Sequence, residues 1–310
     1  MLGYIARRLL HALPTIFGIA LLTFLLFHAV GADPVRTALG QHASPEAIAA
    51  LRRQWRLDQP LPTQFLEFLR QIATFDFGSS FVTGEDLGAQ IKSGALVSLA
   101  VTAPPFFAGL VVNIAVALFI TRHRDGLADR MTRALFVAGM SVSSLVYVLV
   151  FQYVFAFKLG WFPISGYAPG PAAIAFLSLP WLTQLLIGMG PDIRLYRSVF
   201  LDEAKADYVR TARAKGASEA VVYGRHLLAN SWMPIITNTV TTIPFLILGA
   251  FLMERFFSIP GIGNLTIDAL GRGDLPILKA ITVLGAIALV FFNLLSDLLY
   301  AWVDPRVRLR

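Results

Sequence analysis

Long apolar runs alternate with short polar segments along the whole chain. Five runs contain no Asp, Glu, Lys or Arg, and a sixth is interrupted only by Asp297; they span residues 9–32, 93–121, 134–157, 159–191, 226–253 and 280–302. A helix needs about 20 apolar residues to cross a bilayer. The fourth run begins with Gly and Pro residues at 160–171, which favour a loop and leave a helix at about residues 172–196. The pattern predicts an all-α integral membrane protein with six transmembrane helices.

The first apolar run has the basic flank of a secretory signal, and a long polar region follows it. Arg7 and Arg8 precede an apolar stretch that is longer than the core of a secretory signal, about 7–15 residues, so we expect a retained anchor helix. In the external region 33–92, Ser44 followed by Pro45 is typical of a helix start. A second amphipathic stretch covers residues 64–73. These helices either cap the membrane domain or help to receive a soluble partner.

The composition agrees with a membrane protein. Of 310 residues, 56% are hydrophobic and 15% are charged, and the mean hydropathy is +0.66, whereas a soluble domain carries about 25% charged residues. The chain contains no cysteine. Disulfides, thiolate metal sites, iron–sulfur clusters and cysteine nucleophiles are therefore excluded.

The net charge of +7 follows the predicted topology. With both termini on the cytoplasmic side, the cytoplasmic segments 1–8, 121–133, 194–225 and 303–310 hold 16 Lys and Arg in 61 residues, and the opposite face holds 10 in 100. Such an excess on one side is the positive-inside asymmetry. It predicts cytoplasmic termini and gives no support for a nucleic-acid partner.

The longest predicted cytoplasmic segment is 194–226, which we call the bracket. Acidic residues come early in it and basic residues late, an order that complements a helix dipole. Gly216 then supplies a left-handed helix stop, and a second helix can begin at Ser218. The apolar residues of such a pair, Val209 and Val221 among them, need burial against either the chain's own membrane domain or a partner protein.

Sequence signals for catalysis are missing. No Gly-Lys dipeptide occurs, so there is no Walker A loop, none of the five His residues precedes Glu, and no Gly-x-Ser-x-Gly elbow is present. We expect no catalytic residues, no metal site and no enzyme activity in this chain.

A few polar residues fall within apolar runs. Asp297 is a candidate proton carrier or a partner of a basic residue near the cytoplasmic face. Asn113, Gln152 and Asn238 are candidates for lining a transport pathway, and each is equally able to form a hydrogen bond between helices.

An ordered set of short motifs resembles the dipeptide and oligopeptide permeases, which are membrane subunits of ATP-binding-cassette (ABC) importers. The centre of the set is the stretch 207–216 with Arg225, His226, Asn230 and Pro234. The other pieces keep the family's order along the chain: residues 4–8, Pro14, 22–24, 33–34, 57–61, 76–78, Ser80, 160–163, 165–167, Phe257, 260–263, Asp274, Pro276, 297–300 and 304–306.

The resemblance implies a type I ABC importer permease fold in a bacterial plasma (inner) membrane. It divides the chain into an N-terminal helix with an external region, 1–92, a five-helix core, 93–303, and a cytoplasmic tail, 304–310. A coupling loop at 197–226 lies within the core. The implied partners, besides membrane lipid, are a homologous second permease forming a heterodimer, two cytoplasmic ATPases and an external substrate-binding protein. ATP and Mg²⁺ bind to the ATPases, and this chain holds no cofactor.

The resemblance also implies roles for residues. Asp207, Arg213, Lys215, Gly216 and Glu219 are expected to contact the ATPases. Pro260, Gly261 and Gly263 belong to an external loop that forms a gate or a binding-protein contact, or simply permits a tight turn.

The chain departs from the family pattern at residues 93–97 and at Ser143-Ser144, which puts the substrate in doubt. Di- and oligopeptides are the favoured substrates. Glutathione, antimicrobial peptides and nickel or other metal chelates are alternatives within the family. From other classes, a proton-coupled carrier would use Asp297 and Glu254, and a membrane enzyme is disfavoured by the missing chemistry. Neither explains the bracket.

Overall fold

The computed structural model describes residues 2–29, 33–40, 43–124 and 126–303. Within these residues the chain is helical apart from loops, turns and one isolated β-bridge between Ser79 and Asp86. The helices are α1 (Leu2–Ala29), α2 (Pro34–Leu39), α3 (Pro45–Gln54), α4 (Leu61–Thr74), α5 (Leu87–Arg122), α6 (Leu127–Met140), α7 (Ser144–Phe151), α8 (Ala173–Glu203), α9 (Asp207–Ala214), α10 (Glu219–Val221), α11 (Leu228–Asn230), α12 (Trp232–Leu248), α13 (Phe251–Phe256), α14 (Ile262–Arg272) and α15 (Leu275–Val303). Two π-helical segments, Gln152–Lys158 and Val222–Leu227, continue α7 and α10.

Five helical segments of the described chain are long and apolar enough to cross a membrane, and a bent helix pair makes six if its two halves form one span. The five are Leu10–Ala29, Leu87–Arg122, Gly170–Glu203, Trp232–Phe256 and Leu275–Asp297. The predicted all-α, multi-span fold is confirmed. The fourth predicted helix continues beyond residue 196, because α8 runs to Glu203.

The predicted span at residues 134–157 is a broken helix. Its halves, Asp129–Met140 and Ser144–Lys158, meet at 96°. Ser143 Oγ accepts a hydrogen bond from Leu145 N (3.3 Å) and starts the second half, while Tyr147 OH donates to Gly139 O (3.1 Å) across the break. Side chains thus satisfy main-chain groups that a continuous helix would pair internally.

The external region packs onto the first and last spans. Ser44 Oγ accepts from Ala47 N (3.2 Å) with Pro45 in the first turn, which confirms the predicted start of α3. Phe68 and Ile72 of α4 are buried in a cluster with Phe24 of α1. These contacts match the capping role, and reception of a partner stays a prediction.

A hydrogen-bonded clamp closes the same region onto α15. Ser80 Oγ donates to Asp274 Oδ2, and Phe81 N donates to Asp274 Oδ1 (3.2 Å). Asp274 is buried immediately before α15. The clamp therefore fixes the end of the external region to the start of the last span.

Helix α5 is the central element of the core. It packs along α8, where Trp181 Nε1 donates to Ala100 O (2.9 Å), and along α12, where Thr102 Oγ1 donates to Leu246 O (2.8 Å). In an apolar span, a hydrogen bond to a neighbouring helix satisfies a polar group that lipid cannot. These bonds hold α5, α8 and α12 together.

Candidate functional site

The bracket, residues 194–226, contains the last turns of α8, then α9, then a second helix that runs through α10 into the π-helical segment and continues past the bracket as α11. The residues at 197–203, predicted as the start of the coupling loop, are the last turns of α8. Tyr208 OH donates to Glu203 Oε2 (2.6 Å) and ties α9 to the end of α8. Burial raises the pKa of Tyr208, and the hydrogen bond to Glu203 acts in the same direction. The hydroxyl stays protonated and available as a donor.

The inner face of the bracket is buried against the membrane domain. Val209 of α9 is 1% exposed and Val222 of the second helix is fully buried. They share an apolar cluster with Phe200 of α8 and Ile120 of α5, and Leu227 completes it. The chain's own spans therefore supply this burial, whereas Val221 stays 42% exposed on the opposite side.

Gly216 ends α9 in the left-handed conformation, with φ +80°. Ala217 N donates to Ala212 O (3.1 Å) and Gly216 N donates to Arg213 O (2.9 Å). This pair of bonds is the Schellman motif, in which the left-handed position favours glycine. The predicted helix stop is confirmed, and the angle between the two bracket helices is fixed by backbone bonds.

The outer face of the bracket is polar. Arg213 donates to both carboxylate oxygens of Glu219, at 2.8 and 3.0 Å. This hydrogen bonding lowers the pKa of Glu219 and raises the pKa of Arg213. The Asp207 side chain is 96% exposed, and Lys215 and Gly216 are also exposed. All five predicted coupling residues therefore lie on one compact structure with accessible charged groups.

A second cluster surrounds the carboxylate of Glu254, which is fully buried in α13. Its Oε1 accepts from Ser98 Oγ (2.7 Å) and Ala250 N (3.2 Å), and its Oε2 accepts from Asn264 N (3.1 Å). Ser98 Oγ also accepts from Ile262 N (2.8 Å). The N-terminus of α14 thus faces a carboxylate, which satisfies free N–H groups and complements the helix dipole.

The predicted external loop residues divide into two groups around this cluster. Pro260 is exposed, whereas Gly261 and Gly263 are buried. A Cβ at Gly261 would overlap the Glu254 carboxylate, and one at Gly263 would come within 2.8 Å of the Phe251 Cα. Gly261 has φ −97°, so it is a close approach, and not a left-handed turn, that requires glycine there.

Two of the three candidate pathway residues meet at Asp192 of α8. Asn113 Nδ2 of α5 donates to its Oδ2 (3.1 Å), and Asn238 Nδ2 of α12 donates to its Oδ1 (3.3 Å) and to Tyr196 OH (3.2 Å). Gln152 lies elsewhere: its Nε2 donates to Ile164 O (3.0 Å) and Phe256 O (2.9 Å). Asn113 and Asn238 therefore make hydrogen bonds between helices, and Gln152 ties the second half of the broken helix to the loop before α8 and to the end of α13.

One further ion pair could not be predicted from the sequence. Arg197 Nε and Nη2 donate to the two oxygens of Asp129, each at 2.8 Å, and join α8 to α6. Asp129 falls in the polar segment between the second and third runs, which the pattern treats as a turn. Only the packing of α6 on α8 brings the two residues together.

The described residues contain no group of three or more His, Asp or Glu side chains that could hold a metal ion. Asp297 lies half-buried in α15. Residues 304–310, the predicted tail with the last family motif, lie outside the described part of the chain, as do the side chains of residues 298–303.

Comparison with known families decides the class of this fold. The sequence profile described as "binding-protein-dependent transport system inner membrane component" matches residues 109–309, and its N-terminal counterpart matches residues 1–90. The chain belongs to this permease family. It is a multi-pass inner-membrane protein, and the predicted membership is confirmed.

Individual relatives cover nearly the whole chain. The glutathione transport system permease protein GsiC of Salmonella typhimurium (strain LT2) is 33% identical over 308 residues, 99% of each chain. GsiC of Escherichia coli (strain K12) is 32% identical over the same length. Similarity therefore extends through the external region and the bracket alike.

A solved structure supports the fold. The MetNI methionine ABC transporter in an inward-facing form matches with a TM-score of 0.55, covering 69% of this chain and 96% of the matched chain. At 17% identity this likeness concerns the fold alone. The permease fold is thus established independently of sequence motifs.

Proposed function

We propose that this chain is the permease subunit of an ABC importer that moves small peptides of the glutathione type into the cytoplasm. The full-length similarity to GsiC permeases supports the substrate class. We further propose that a homologous permease completes the passage, that an external binding protein delivers the substrate, and that two ATPase subunits bind ATP and Mg²⁺. Both termini and the bracket then lie in the cytoplasm.

One observation carries the mechanism: the bracket is polar on its outer face and buried on its inner face. Its inner residues share a cluster with α5 and α8. A push on the exposed side of α9 would therefore be passed to two spans through close-packed side chains, since packed cores deform little. ATPase closure is the source of that push, and rotation of the spans between inward-open and outward-open states is its result.

Asp207, Lys215 and Gly216 are the residues that would face the ATPases, because they are exposed on the outer side. Arg213 and Glu219 would hold the two bracket helices at a fixed angle while also presenting charge. On the opposite side of the membrane, Pro260 is the exposed member of the external loop and is suited to contact with a binding protein.

The absence of cysteine makes the contact testable. We expect Lys215→Cys, as the only thiol in this chain, to form a cross-link to an ATPase subunit in membranes when a bifunctional maleimide–succinimidyl ester joins the thiol to a lysine amine of the ATPase. Arg36→Cys, whose parent side chain is 75% exposed in the external region, is the matched control and should form none. A membrane-impermeant maleimide should label Arg36→Cys but not Lys215→Cys in spheroplasts; the reverse labelling would refute the orientation.

The substrate class needs its own assay. Uptake of labelled glutathione and of a labelled dipeptide would be compared in cells with and without the chain and its partner subunits. The proposal expects uptake that ends when ATP is depleted and survives an uncoupler when ATP is maintained. Uptake that collapses with the uncoupler alone would point to a proton-coupled carrier and contradict the proposal.

A further inference from the structure

A cavity of about 490 Å³ lies between α5, α6 and α8, on the side of the membrane that carries the bracket. Most of its lining is apolar and includes Ile120, Phe136, Met140 and Ile193. Gly190 leaves room there, because a Cβ at this position would stand 2.7 Å from Met140 Cγ. The cavity is bordered by outward-facing residues, since Val137 is 57% exposed and Met140 is 44% exposed.

Three arginines also line the cavity, Arg133, Arg194 and Arg197, with Ser198 and Leu201 following Arg197 on α8. Arg197 is engaged with Asp129, and Arg133 Nη2 lies 3.4 Å from the same carboxylate. Arg194 forms no ion pair or side-chain hydrogen bond with any residue that the structure describes, and it is exposed. Arg133 and Arg197 thus share one carboxylate and Arg194 adds a further guanidinium group, which leaves an excess of positive charge among the lining residues.

Along α8, the lining of the cavity changes from apolar to basic. Gly190 and Arg197 are separated by seven residues, or about 10 Å of helix. The apolar part of the cavity near Gly190 therefore lies at the depth of the lipid hydrocarbon when the arginines lie at the level of the lipid headgroups. A free anion would need only the arginines, whereas a phospholipid uses both the arginines and the apolar lining.

We propose that this cavity binds an anionic phospholipid, with an acyl chain against the apolar residues of α5, α6 and α8 and the phosphate at Arg194 and Arg133. Basic pockets between spans on the cytoplasmic side attract anionic headgroups, and anionic lipids are enriched in that leaflet. The bound lipid would fill the groove between α6 and α8 beside the broken third span. The proposal concerns this chain's own surface and holds for any imported substrate.

The test uses the full chain with its co-purifying subunits in mild detergent, and binding of single lipids is followed by native mass spectrometry. Phosphatidylglycerol is the anionic probe and phosphatidylcholine the zwitterionic one. We expect a clear preference for phosphatidylglycerol. Arg194→Gln should weaken its binding about fivefold, the effect of one basic residue at a charged surface. Phosphatidylcholine binding should change little.

Two further variants separate charge from shape. Arg130→Gln removes the same charge from the same helix as Arg133, and Arg130 does not line the cavity; it should leave lipid binding unchanged. Val137→Trp would fill the apolar part of the cavity and should weaken both lipids equally. Thermal melting of each variant in the same detergent checks that it is folded.

Several results would overturn the proposal. These are equal binding of the two lipids, equal losses in Arg130→Gln and Arg194→Gln, or displacement of phosphatidylglycerol by millimolar glycerol phosphate, which would indicate a free-anion site. Lipid that is retained by the isolated chain but not by the assembled complex would show that the second permease covers this surface. That result would also refute the lipid-binding proposal.

Discussion

Arg197 holds the carboxylate of Asp129 through two hydrogen bonds of 2.8 Å, at a place where Asp129 is completely shielded from solvent. The pair links α8, the span that leads into the bracket, to α6, the first half of the broken third span. A second arginine, Arg133, approaches the same carboxylate at 3.4 Å but is 48% exposed. The two contacts should therefore contribute very differently to stability.

Asp129→Asn should destabilise the purified chain strongly, by about 3–5 kcal/mol, because it leaves the guanidinium of Arg197 without its charged partner in a buried place. Arg133→Gln is the matched control and should cost no more than about 1 kcal/mol, as expected for an exposed pair. Thermal melting in detergent measures both. Equal shifts of the two melting temperatures would contradict the assignment of Arg197 as the principal partner.

The Glu254 cluster predicts a second contrast. Glu254→Gln turns one acceptor oxygen into a donor among main-chain N–H groups, and should cost about 1–3 kcal/mol through unsatisfied buried groups. Asp268→Asn is the control, since Asp268 forms an exposed pair with Arg255 (2.7 Å) outside the cluster. Melting curves would test this. Full stability of Glu254→Gln with loss of transport would favour a proton-carrying role instead.

Asp192 predicts a third effect, at the junction of three spans. Asp192→Leu would strand the amides of Asn113 and Asn238, which donate to it from α5 and α12. We expect a loss of about 1–3 kcal/mol. Asn230→Ala serves as the control, because Asn230 is exposed, donates to His226 O one turn earlier (2.7 Å) and has Tyr208 as a second hydrogen-bonding neighbour, away from Asp192. An unchanged melting temperature in Asp192→Leu would show that these amides find other partners.

The Arg213–Glu219 pair predicts a pH dependence of the bracket. Since hydrogen bonding lowers the pKa of Glu219 in the folded chain, the pair stabilises the bracket above the unfolded pKa, about 4.3. That contribution is lost as the pH falls through the lower, folded value. Hydrogen exchange at Gly216 and Ala217 should therefore accelerate, relative to intrinsic rates, as Glu219 becomes protonated, and Arg213→Gln should abolish this acid-dependent step. An identical pH profile in the variant would contradict the linkage.

Features with a local cause could be predicted from the sequence. The apolar runs identify the spans because bilayer thickness sets their length. The starts and stops at Ser44 and Gly216 were predictable because each depends on neighbouring backbone groups. The class of function was predicted from the family motifs, because no local pattern of apolar and polar residues indicates it.

Features with a distant cause could not be predicted. Ser98 and Glu254 are 156 residues apart, and Asp129 and Arg197 are 68 apart. Only tertiary packing selects such partners. The bend of 96° in the third span has a related cause, because its apolar run contains no proline and the serines that take up main-chain bonds are unremarkable in sequence. Gly261 and Gly263 were expected in a gate, a binding-protein contact or a tight turn, and only tertiary packing shows that a Cβ at either position would crowd Glu254.

The central claim is that the bracket docks the ATPases, and purification of the tagged chain from its native membrane in mild detergent tests it most directly. Gly216→Pro should break the Schellman motif, since proline can neither adopt φ +80° nor donate to Arg213 O. Gly84→Pro is the control, a glycine with φ +74° in the external region.

Mass spectrometry of the co-purifying proteins gives the answer. The account predicts a second permease and Walker-containing ATPases with the wild-type chain and with Gly84→Pro. With Gly216→Pro, the ATPases should be lost while the second permease is retained. Two results would contradict the claim that the bracket docks the ATPases. One is recovery of the ATPases in unchanged amount with Gly216→Pro. The other is their absence from the wild-type preparation while ATP-independent transport persists.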